Sequence, residues 1–323
     1  MQNVLSLIKS FLGEMGGQLA PESTVEEERY YLPPGEPRSI TGDFFEIPEY
    51  RGSVSAFQLF QSGISRTYLI GQIRTENEVR PVHYASVASV ILHRENGHFS
   101  PFTRPLTADL LLLDLDGLDG QDIVERYNEG IEIVDCRSQD IGYKARRITA
   151  MRESARVQRE MQEEGLLACK DSREQGVLIV VNGSLQQIEG AENTPGLVGI
   201  VPATADILGD ASAVLAVPFG ARSGLDMKNQ PSAFYMRLRE ARGANPDFGL
   251  VRIELGRKPD GSPADESWAS EVASLMLIER FPVKPEGEGW DKQIFALQSA
   301  GDYINTLIPP QKMVTTYFGR STA

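Results

Sequence analysis

Cysteine and histidine are scarce in this chain of 323 residues, which contains two cysteines, Cys136 and Cys169, and three histidines. A single cysteine pair without a secretion signal is typical of reduced thiols in the cytoplasm, not of a disulfide-bonded scaffold. No cysteine or carboxylate pattern accompanies the histidines, so we expect structural or surface roles for them rather than a zinc site. The sequence also lacks a signal peptide and a long apolar stretch, which predicts a cytoplasmic protein without a membrane association.

Basic residues are outnumbered by acidic ones, with 32 Lys and Arg against 45 Asp and Glu and a formal net charge of −13. Proteins that hold DNA by its phosphates usually present a basic surface, because phosphate neutralisation with counterion release supplies the affinity. The charge therefore predicts that the chain binds no nucleic acid alone, or that a basic partner or a local channel holds the DNA. The simplest use of such a charge is an acidic face that docks on a partner.

The hydrophobic pattern at the N-terminus has the period of a helix. Residues 3–15 place apolar side chains at helical spacing and end at a glycine pair, which predicts an amphipathic helix. This helix either packs on its own domain or docks on a partner. Residues 18–40 contain a proline pair and three consecutive glutamates, and we expect an extended linker there. We therefore divide the chain into an N-terminal helix with its linker, residues 1–40, and one main domain, residues 41–323.

The main domain combines strands with helices. Short apolar or alternating runs predict strands at Val54–Phe60, Thr67–Ile73, Ala85–Leu92, Asp109–Asp116, Val177–Val181, Leu197–Val201, Ala213–Val217, Ala233–Leu238 and Gly249–Leu255. Helical periodicity predicts helices over residues 143–168, over residues 264–280 and from Gln293 to the proline pair at 309–310. This order indicates an α/β fold, a mixed sheet with helices on its faces. An RNase H-like arrangement fits it, and so do other α/β folds.

Six short segments follow one another in the order typical of one protein family. From the N-terminal side they read LFQSGISRTYLIG, VLIVVNGSL, GLVGIVPATADIL, VPFGARSG, SAFYMRLREA and GLVRIELG. In this order they resemble the motifs of the NurA nuclease family, in which the first two segments contain F-[I/V]-D-G and D-G-[P/S]-L. The resemblance covers roughly residues 55–310. It depends on the order of the motifs, since no single one is specific.

The resemblance implies an RNase H-like mixed β-sheet flanked by helices. It also implies a DNA-end nuclease that forms a homodimer and works with HerA, a hexameric ring ATPase that translocates DNA. Members of the family use clustered carboxylates to hold Mn²⁺ or Mg²⁺, which activates water and stabilises the leaving oxygen. Complexes of this kind serve DNA repair or antiphage defence.

The chain departs from the family at the positions that carry the chemistry. Ser62 and Asn182 stand where the family has the aspartates of its first two motifs, and Pro202 replaces a lysine. Gly301 lies near the position of a C-terminal His or Glu. Removing two carboxylates from a two-metal site removes the charge that holds the metals. We therefore expect a NurA-like subunit whose nuclease activity is lost or weakened.

The long helix offers three candidates for the helical glutamate that the resemblance implies, namely Glu153, Glu160 and Glu164, and the sequence does not fix which of them matches. An active nuclease with non-standard ligands is the alternative. In that hypothesis Asn182 and Glu160, with Asp302, hold Mn²⁺ or Mg²⁺, since an Asn amide oxygen can coordinate a hard cation without adding charge. If the chain is inactive, we expect no cofactor, and the glutamates then belong to a solvated helix face.

Three arginines lie beside or within predicted strands, namely Arg222, Arg237 and Arg252. As DNA-binding residues they would contact phosphates in a channel. As structural residues they would form an ion-pair network inside the fold. Arg252 and Glu254 are two residues apart and therefore share one face of their strand.

A third hypothesis belongs to another class of enzyme. The apolar strand that ends in Asp114-Leu115-Asp116-Gly117 resembles the first motif of haloacid-dehalogenase-type phosphatases, in which the first Asp is the nucleophile and the second the acid and base. The segments at Ser184 and Asp210 resemble later motifs of that class. Leu118 follows the glycine where Thr or Val is usual, and no lysine lies between Ser184 and Asp210. These departures make the phosphatase the weakest hypothesis.

Overall fold

A thirteen-stranded sheet organises the chain in its computed structural model. The structure describes residues 2–20, 25, 27–28, 43–52, 55–75, 78–118, 123, 125, 127, 130–138, 142–203, 210–241, 245–285 and 289–319. The predicted domain boundary after residue 40 lies outside these residues, so the division into two units stays a prediction. The strands are β1 (Gln18–Leu19), β2 (Glu27–Glu28), β3 (Phe44–Glu46), β4 (Phe57–Arg74), β5 (Val79–Glu95), β6 (His98–Pro101), β7 (Leu106–Leu113), β8 (Glu132–Asp135), β9 (Leu178–Asn182), β10 (Leu197–Pro202), β11 (Ala221–Ser223), β12 (Ser232–Arg237) and β13 (Leu250–Leu255).

Seven α-helices accompany the sheet in the described part of the chain. They are α1 (Gln2–Glu14), α2 (Tyr143–Ala168), α3 (Lys170–Glu174), α4 (Ala211–Leu215), α5 (Glu266–Glu279), α6 (Phe295–Leu307) and α7 (Gln311–Phe318). None of the helices in this part is long and apolar enough to cross a membrane.

The central strands have an RNase H-like order. They run β7-β5-β4-β9-β10 across the sheet, which is 3-2-1-4-5 in chain order. β5 is antiparallel to β4 and β7, whereas β9 is parallel to β4 and β10 is parallel to β9. The long helix α2 joins the two halves, as a crossover between parallel strands requires. The predicted mixed sheet flanked by helices is confirmed. Antiparallel β13, β12, β11 and β3 extend the sheet beyond β10.

Helices cover both faces of this sheet. α2 lies on one face, where Ala150 and Val157 pack against Val87 and Leu110. α5, α6 and α7 lie on the opposite face, and Trp268 of α5 belongs to the largest apolar cluster of the described residues. Side chains of a strand alternate between the two faces. Each strand residue is therefore assigned to the face of α2 or to the face of α6.

The N-terminal helix α1 is amphipathic, as predicted, and its apolar side is covered by the chain itself. Leu5, Ile8 and Phe11 are buried against strands β4, β5 and β7 and against α7. Phe11 also meets the ring of Tyr127 edge to face, with the ring centroids 5.2 Å apart. The first of the two sequence interpretations, packing on its own domain, therefore holds. Docking of this apolar side on a partner is wrong, because the sheet already occupies it.

Three local predictions differ from the structure for identifiable reasons. The first two predicted strands form one continuous strand, β4, because Gly63 leaves room for Gln158 of α2, whose amide a Cβ would overlap. The predicted strand Ala213–Val217 is instead largely within helix α4, which Asp210 caps by accepting the N–H of Ser212 at 2.9 Å. The proline pair that ends α6 also starts α7, since proline suits a helix N-terminus.

The described part of the predicted linker is fixed to the sheet by a buried histidine. Glu28 of β2 lies 2.9 Å from Nε2 of His83 and also pairs with Arg147. Burial lowers the pKa of His83, and although burial alone would raise the pKa of Glu28, the bonds from His83 and Arg147 hold it below its ordinary value. His83 is thus kept neutral in the fold beside an ionised carboxylate.

The chain should become less stable as the pH falls below about 6.5, the ordinary pKa of histidine. His83 takes up a proton in the unfolded chain before it does so in the fold, so the fold loses stability with falling pH, by up to about 1.4 kcal/mol per pH unit. Urea unfolding at several pH values between 7.5 and 5.5 measures this slope, and His83→Gln should flatten it. His98→Gln, an exposed control, should leave the slope unchanged. Equal slopes in the wild type and His83→Gln would contradict the assignment.

Candidate functional site

Ser62 and Asn182, the two positions that the motif resemblance aligns with aspartates, lie side by side on neighbouring strands. Asn182 ends β9, and its Nδ2 donates a hydrogen bond of 3.1 Å to Oγ of Ser62 in β4. The parallel pairing of β4 and β9 produces this contact, since Gln61 and Val181 are Cα partners one residue earlier on each strand. Ser62 is buried and Asn182 is exposed. The hydrogen bond occupies the amide nitrogen of Asn182, and its amide oxygen is the acceptor that the bond leaves free in this neutral pair.

The same face of the sheet carries the other replaced positions. Ile64 and Arg66 alternate with Ser62 along β4, and they meet Ile304 and Asn305 of α6, so Ser62 also lies on the α6 face. Pro202 ends β10 next to β9. Gly301 lies in α6, and a Cβ built there would meet no heavy atom within 4 Å. Thus Ser62, Asn182, Pro202 and the helix of Gly301 belong to one region.

Glu160 does not belong to this region, and its prediction as a site residue or metal ligand is wrong. It lies on α2, whose buried side contacts the opposite face of β4, where Gln61 Nε2 donates to the Gln162 carbonyl at 2.6 Å. The Glu160 side chain is exposed and pairs with Arg156 one turn away. Glu153 and Glu164 lie on the same helix. The sheet therefore separates every candidate helical glutamate from Ser62 and Asn182.

The donor set of the region does not fit a two-metal centre. Ser62 offers a hydroxyl, Asn182 an amide, Pro202 an apolar ring and Gly301 no side chain. Mn²⁺ and Mg²⁺ sites take carboxylate oxygens that supply negative charge. Across the described ranges, no group of three or more His, Cys, Asp or Glu is arranged to hold a metal ion. Ser62 and Asn182 are neutral, so they supply neither the charge that holds the metals nor a general base.

A buried ion pair supports the turn that follows Asn182. Glu254 is fully buried in β13, and its carboxylate accepts Nε of Arg252 at 2.9 Å, Oγ of Ser184 at 2.9 Å and the N–H of Leu185 at 2.6 Å. Gly199 of β10 passes directly beneath, where a Cβ would lie 2.8 Å from Cγ of Leu185. The predicted shared face of Arg252 and Glu254 is confirmed. The network fixes the backbone that ends β9, and with it the position of Asn182.

The three predicted DNA-binding arginines are occupied inside the fold. Arg222, Arg237 and Arg252 are 1%, 4% and 6% exposed. Arg222 donates to Ser270 and pairs with Glu266 at 2.7 Å, whereas Arg252 pairs with Glu254. All three thus have partners inside the fold, which agrees with the interpretation of these residues as structural. Contact with a DNA phosphate would require them to leave these partners.

The phosphatase hypothesis is wrong. Asp114, its nucleophile, is buried, and its Oδ2 accepts Nε of Arg146 at 2.7 Å, while its Oδ1 accepts the N–H of Asp116. Two strands, β5 and β4, separate its strand from β9, which precedes Ser184. Three strand spacings correspond to roughly 14 Å. Asp210 caps α4. These residues therefore do not form one catalytic site.

One polar and aromatic cluster was missed by the motif analysis. Arg239, Arg280, Phe281 and Trp290 line a common pocket with Phe219. They come from four separate segments of the chain, and no short spacing links them. Phe219 and Arg239 lie within the quoted segments VPFGARSG and SAFYMRLREA, but those segments do not indicate a pocket.

The comparisons with known proteins add a likeness to solved structures. No protein-family model and no curated protein sequence matches the chain. Among solved structures, the chain is similar to the NurA nuclease from Sulfolobus solfataricus. The two share 12% sequence identity over 80% of this chain and 81% of that chain, with a TM-score of 0.41.

Proposed function

We propose that this chain is a NurA-like subunit of a DNA-processing complex with a HerA-type hexameric ATPase, and that its nuclease activity is lost or strongly weakened. The observation that carries the proposal is the contact of Ser62 with Asn182 on adjacent strands of a 3-2-1-4-5 sheet. The motifs resemble those of a nuclease family, and the two positions meet where that family would bring its aspartates together. A neutral hydrogen bond takes the place of two metal-binding carboxylates.

The chemistry of this pair favours a structural or regulatory role. Metal-assisted cleavage needs cations that activate water and stabilise the leaving oxygen. Ser62 and Asn182 satisfy each other and supply no charge, so Mn²⁺ or Mg²⁺ would bind weakly there. A subunit that keeps the fold without the metals would guide DNA that emerges from the ring. We include a homodimer in the proposal, because the resemblance implies one.

The charge of the chain bears on how it would bind its partner. The apolar side of α1 is covered by the sheet, so it is not the docking surface. A net charge of −13 instead favours an acidic surface that meets basic residues of the ring. DNA would then be held through the complex and its basic partner. Such an interaction should weaken with increasing salt concentration.

A nuclease assay tests the proposal. The purified chain, alone and mixed with a HerA-type ATPase, is incubated with linear DNA and Mn²⁺. We expect the DNA to remain intact in both samples, and we expect the chain to elute with the ring in size-exclusion chromatography at low salt. An authentic NurA nuclease under the same conditions is the positive control.

The active-nuclease alternative gives a different result. Degradation that disappears on Asn182→Ala would show that the amide still serves a metal site, and the loss of activity would then be wrong. Degradation that survives Asn182→Ala would move the chemistry away from this region and would also contradict the proposal. Separate elution of the two proteins at every salt concentration would contradict the partnership.

A further inference from the structure

A pocket lined by aromatic and arginine side chains lies at the end of β12. Its volume is about 240 Å³, and we call it the aromatic–arginine pocket. Its walls are Phe219, Arg239, Glu240, Phe248, Arg280, Phe281 and Trp290. Phe219 precedes β11, Arg239 follows β12, and the last three residues lie between α5 and α6. The pocket therefore brings together the ends of several elements.

Both arginines lie over aromatic rings. The guanidinium carbon of Arg239 is 5.2 Å from the ring centroid of Trp290 and 5.9 Å from that of Phe281. That of Arg280 is 4.9 Å from Phe281 and 5.5 Å from Phe219. Contacts of this kind fix the guanidinium planes against the walls. Phe281 is 62% exposed although it contacts both cations. Much of its side chain is therefore accessible to a ligand at the pocket.

The positive charge of the pocket is not neutralised by a bonded carboxylate. Arg239 donates to the main-chain carbonyls of Arg280, Gln293 and Asp291, and Arg280 donates to that of Leu277. Within the described ranges, no salt bridge joins either arginine to an acidic side chain. The Asp291 carboxylate accepts the N–H of Gly249 and also acts on Arg239 through space, where its charge partly offsets the effect of burial on the pKa. Burial lowers the pKa of both guanidinium groups, but arginine stays charged in proteins.

The position of the pocket relates it to the replaced site. β12 is parallel to β10, because both are antiparallel to β13, so Arg239 follows the same edge of the sheet as Pro202 and Asn182. The segment between α5 and α6 supplies the opposite wall of the pocket. From β9 to β12 there are three strand spacings, or roughly 14 Å. DNA that reached Asn182 would thus pass near the pocket.

We propose that the aromatic–arginine pocket binds one unpaired nucleotide of a single-stranded DNA end. The base lies against Phe281 and Trp290, and the phosphate lies against Arg280. Aromatic faces combined with a guanidinium that has no bonded carboxylate, that of Arg280, suit a ligand that has both a planar π face and a negative charge, as in single-strand binding. Glu240 also lines the pocket, and its negative charge would repel the phosphate. The proposal rests on the proposed function, because it assumes that DNA reaches this edge of the sheet.

Tryptophan fluorescence provides a direct test, because the chain has two tryptophans and one of them is Trp290. Trp268 is a buried residue of α5, so Trp268→Phe leaves Trp290 as the single reporter in the full chain. Titration with a hexathymidylate strand should quench its emission and reach saturation. On this background, Arg280→Gln and Phe281→Leu should each weaken binding about tenfold, and Glu240→Gln should strengthen it. The control substitutions Arg152→Gln and Phe102→Ala, in exposed residues elsewhere, should change binding less than about twofold.

Two further ligands distinguish the occupants of the pocket. An abasic strand of the same length should bind clearly more weakly than hexathymidylate, and equal binding would overturn the stacking of a base. A peptide of glutamates with one phenylalanine tests a protein ligand, and tighter binding of this peptide would overturn the proposal. Circular dichroism of each variant checks that it is folded.

The fluorescence titration and the nuclease assay test the two proposals separately. Absence of quenching overturns the pocket proposal, while an intact DNA substrate and elution with the ring still support the inactive subunit. Conversely, degradation of DNA would overturn the inactive subunit while saturable quenching still supported the pocket. Arg280→Gln is expected to retain elution with the ring.

Discussion

Replacing Arg237 with alanine is expected to lower the free energy of unfolding by about 4 kcal/mol. The guanidinium is buried and donates to four main-chain carbonyls, those of Val217 and Phe248 at 2.6 Å and those of Leu215 and Pro246 at 2.7 Å. Burial lowers its pKa without neutralising it. Its removal takes the shared donor from four main-chain carbonyls, of which that of Val217 is buried and the others are partly buried, and it separates the end of α4 from β12. Urea unfolding followed by circular dichroism measures the loss.

Lysine should not rescue this position. An ammonium group is a point charge that cannot reach the carbonyls on all sides of a planar fork, so Arg237→Lys should lose nearly as much stability as Arg237→Ala. Arg152→Ala is the matched control, since Arg152 is exposed and lies 3.7 Å from Glu153; its effect should stay within about 0.5 kcal/mol. If Arg237→Ala instead preserved stability and reduced DNA binding by the complex, the residue would be a phosphate ligand after all.

This pair of interpretations shows what a sequence cannot distinguish. An arginine in a strand has the same neighbours along the chain whether it binds a phosphate or four carbonyls. Arg237 acquires its partners from residues 9 to 22 positions away, and only the packing of α4 on β12 brings them together. Arg252 was different, because its partner Glu254 is two residues away in the same strand. Strand alternation alone predicted that contact.

The fold was predictable to the extent that it depends on local pattern. The buried strands β9 and β10 are continuous apolar runs. In α2, apolar residues recur at helical spacing over most of its length. β4 could not be read correctly, because Gly63 resembles a turn signal. It in fact makes space for a side chain of α2, which lies 95 residues further along the chain. Contacts that are remote in sequence thus decide whether a glycine ends a strand or continues it.

The sequence predicted which strand residues meet at the candidate site, but it did not predict on which face of the sheet α2 lies. Parallel pairing of two motif-bearing strands was enough to bring Ser62 and Asn182 together. The placement of Glu160 required the side of the sheet on which α2 lies. A crossover between parallel strands has a fixed hand, but this rule gives a face only once the strand order is known. The strand order becomes visible only in the structure.

Glu254→Gln is expected to cost about 3 kcal/mol and to loosen the turn after Asn182. The substitution preserves volume, but one of the two carboxylate oxygens becomes an NH₂ donor. In either orientation the buried Arg252 guanidinium loses its counter-charge. Because arginine only donates hydrogen bonds, the remaining amide oxygen faces Arg252, the NH₂ faces Ser184 and Leu185, and the N–H of Leu185 loses its acceptor. Hydrogen exchange at the Leu185 amide should accelerate about 100-fold relative to the wild type, beyond what the global loss of stability explains for β5 amides.

A double variant separates the charge from the hydrogen bonds. Arg252→Met removes the buried cation, so adding it to Glu254→Gln should recover part of the lost stability, because a buried charge without a partner is the larger penalty. The Leu185 amide should then exchange slowly again, since the glutamine oxygen is free to turn towards it. Glu160→Gln is the control for the loss of an exposed glutamate and should leave both quantities unchanged. Unchanged exchange in Glu254→Gln would mean that Glu254 does not position the strand end that carries Asn182.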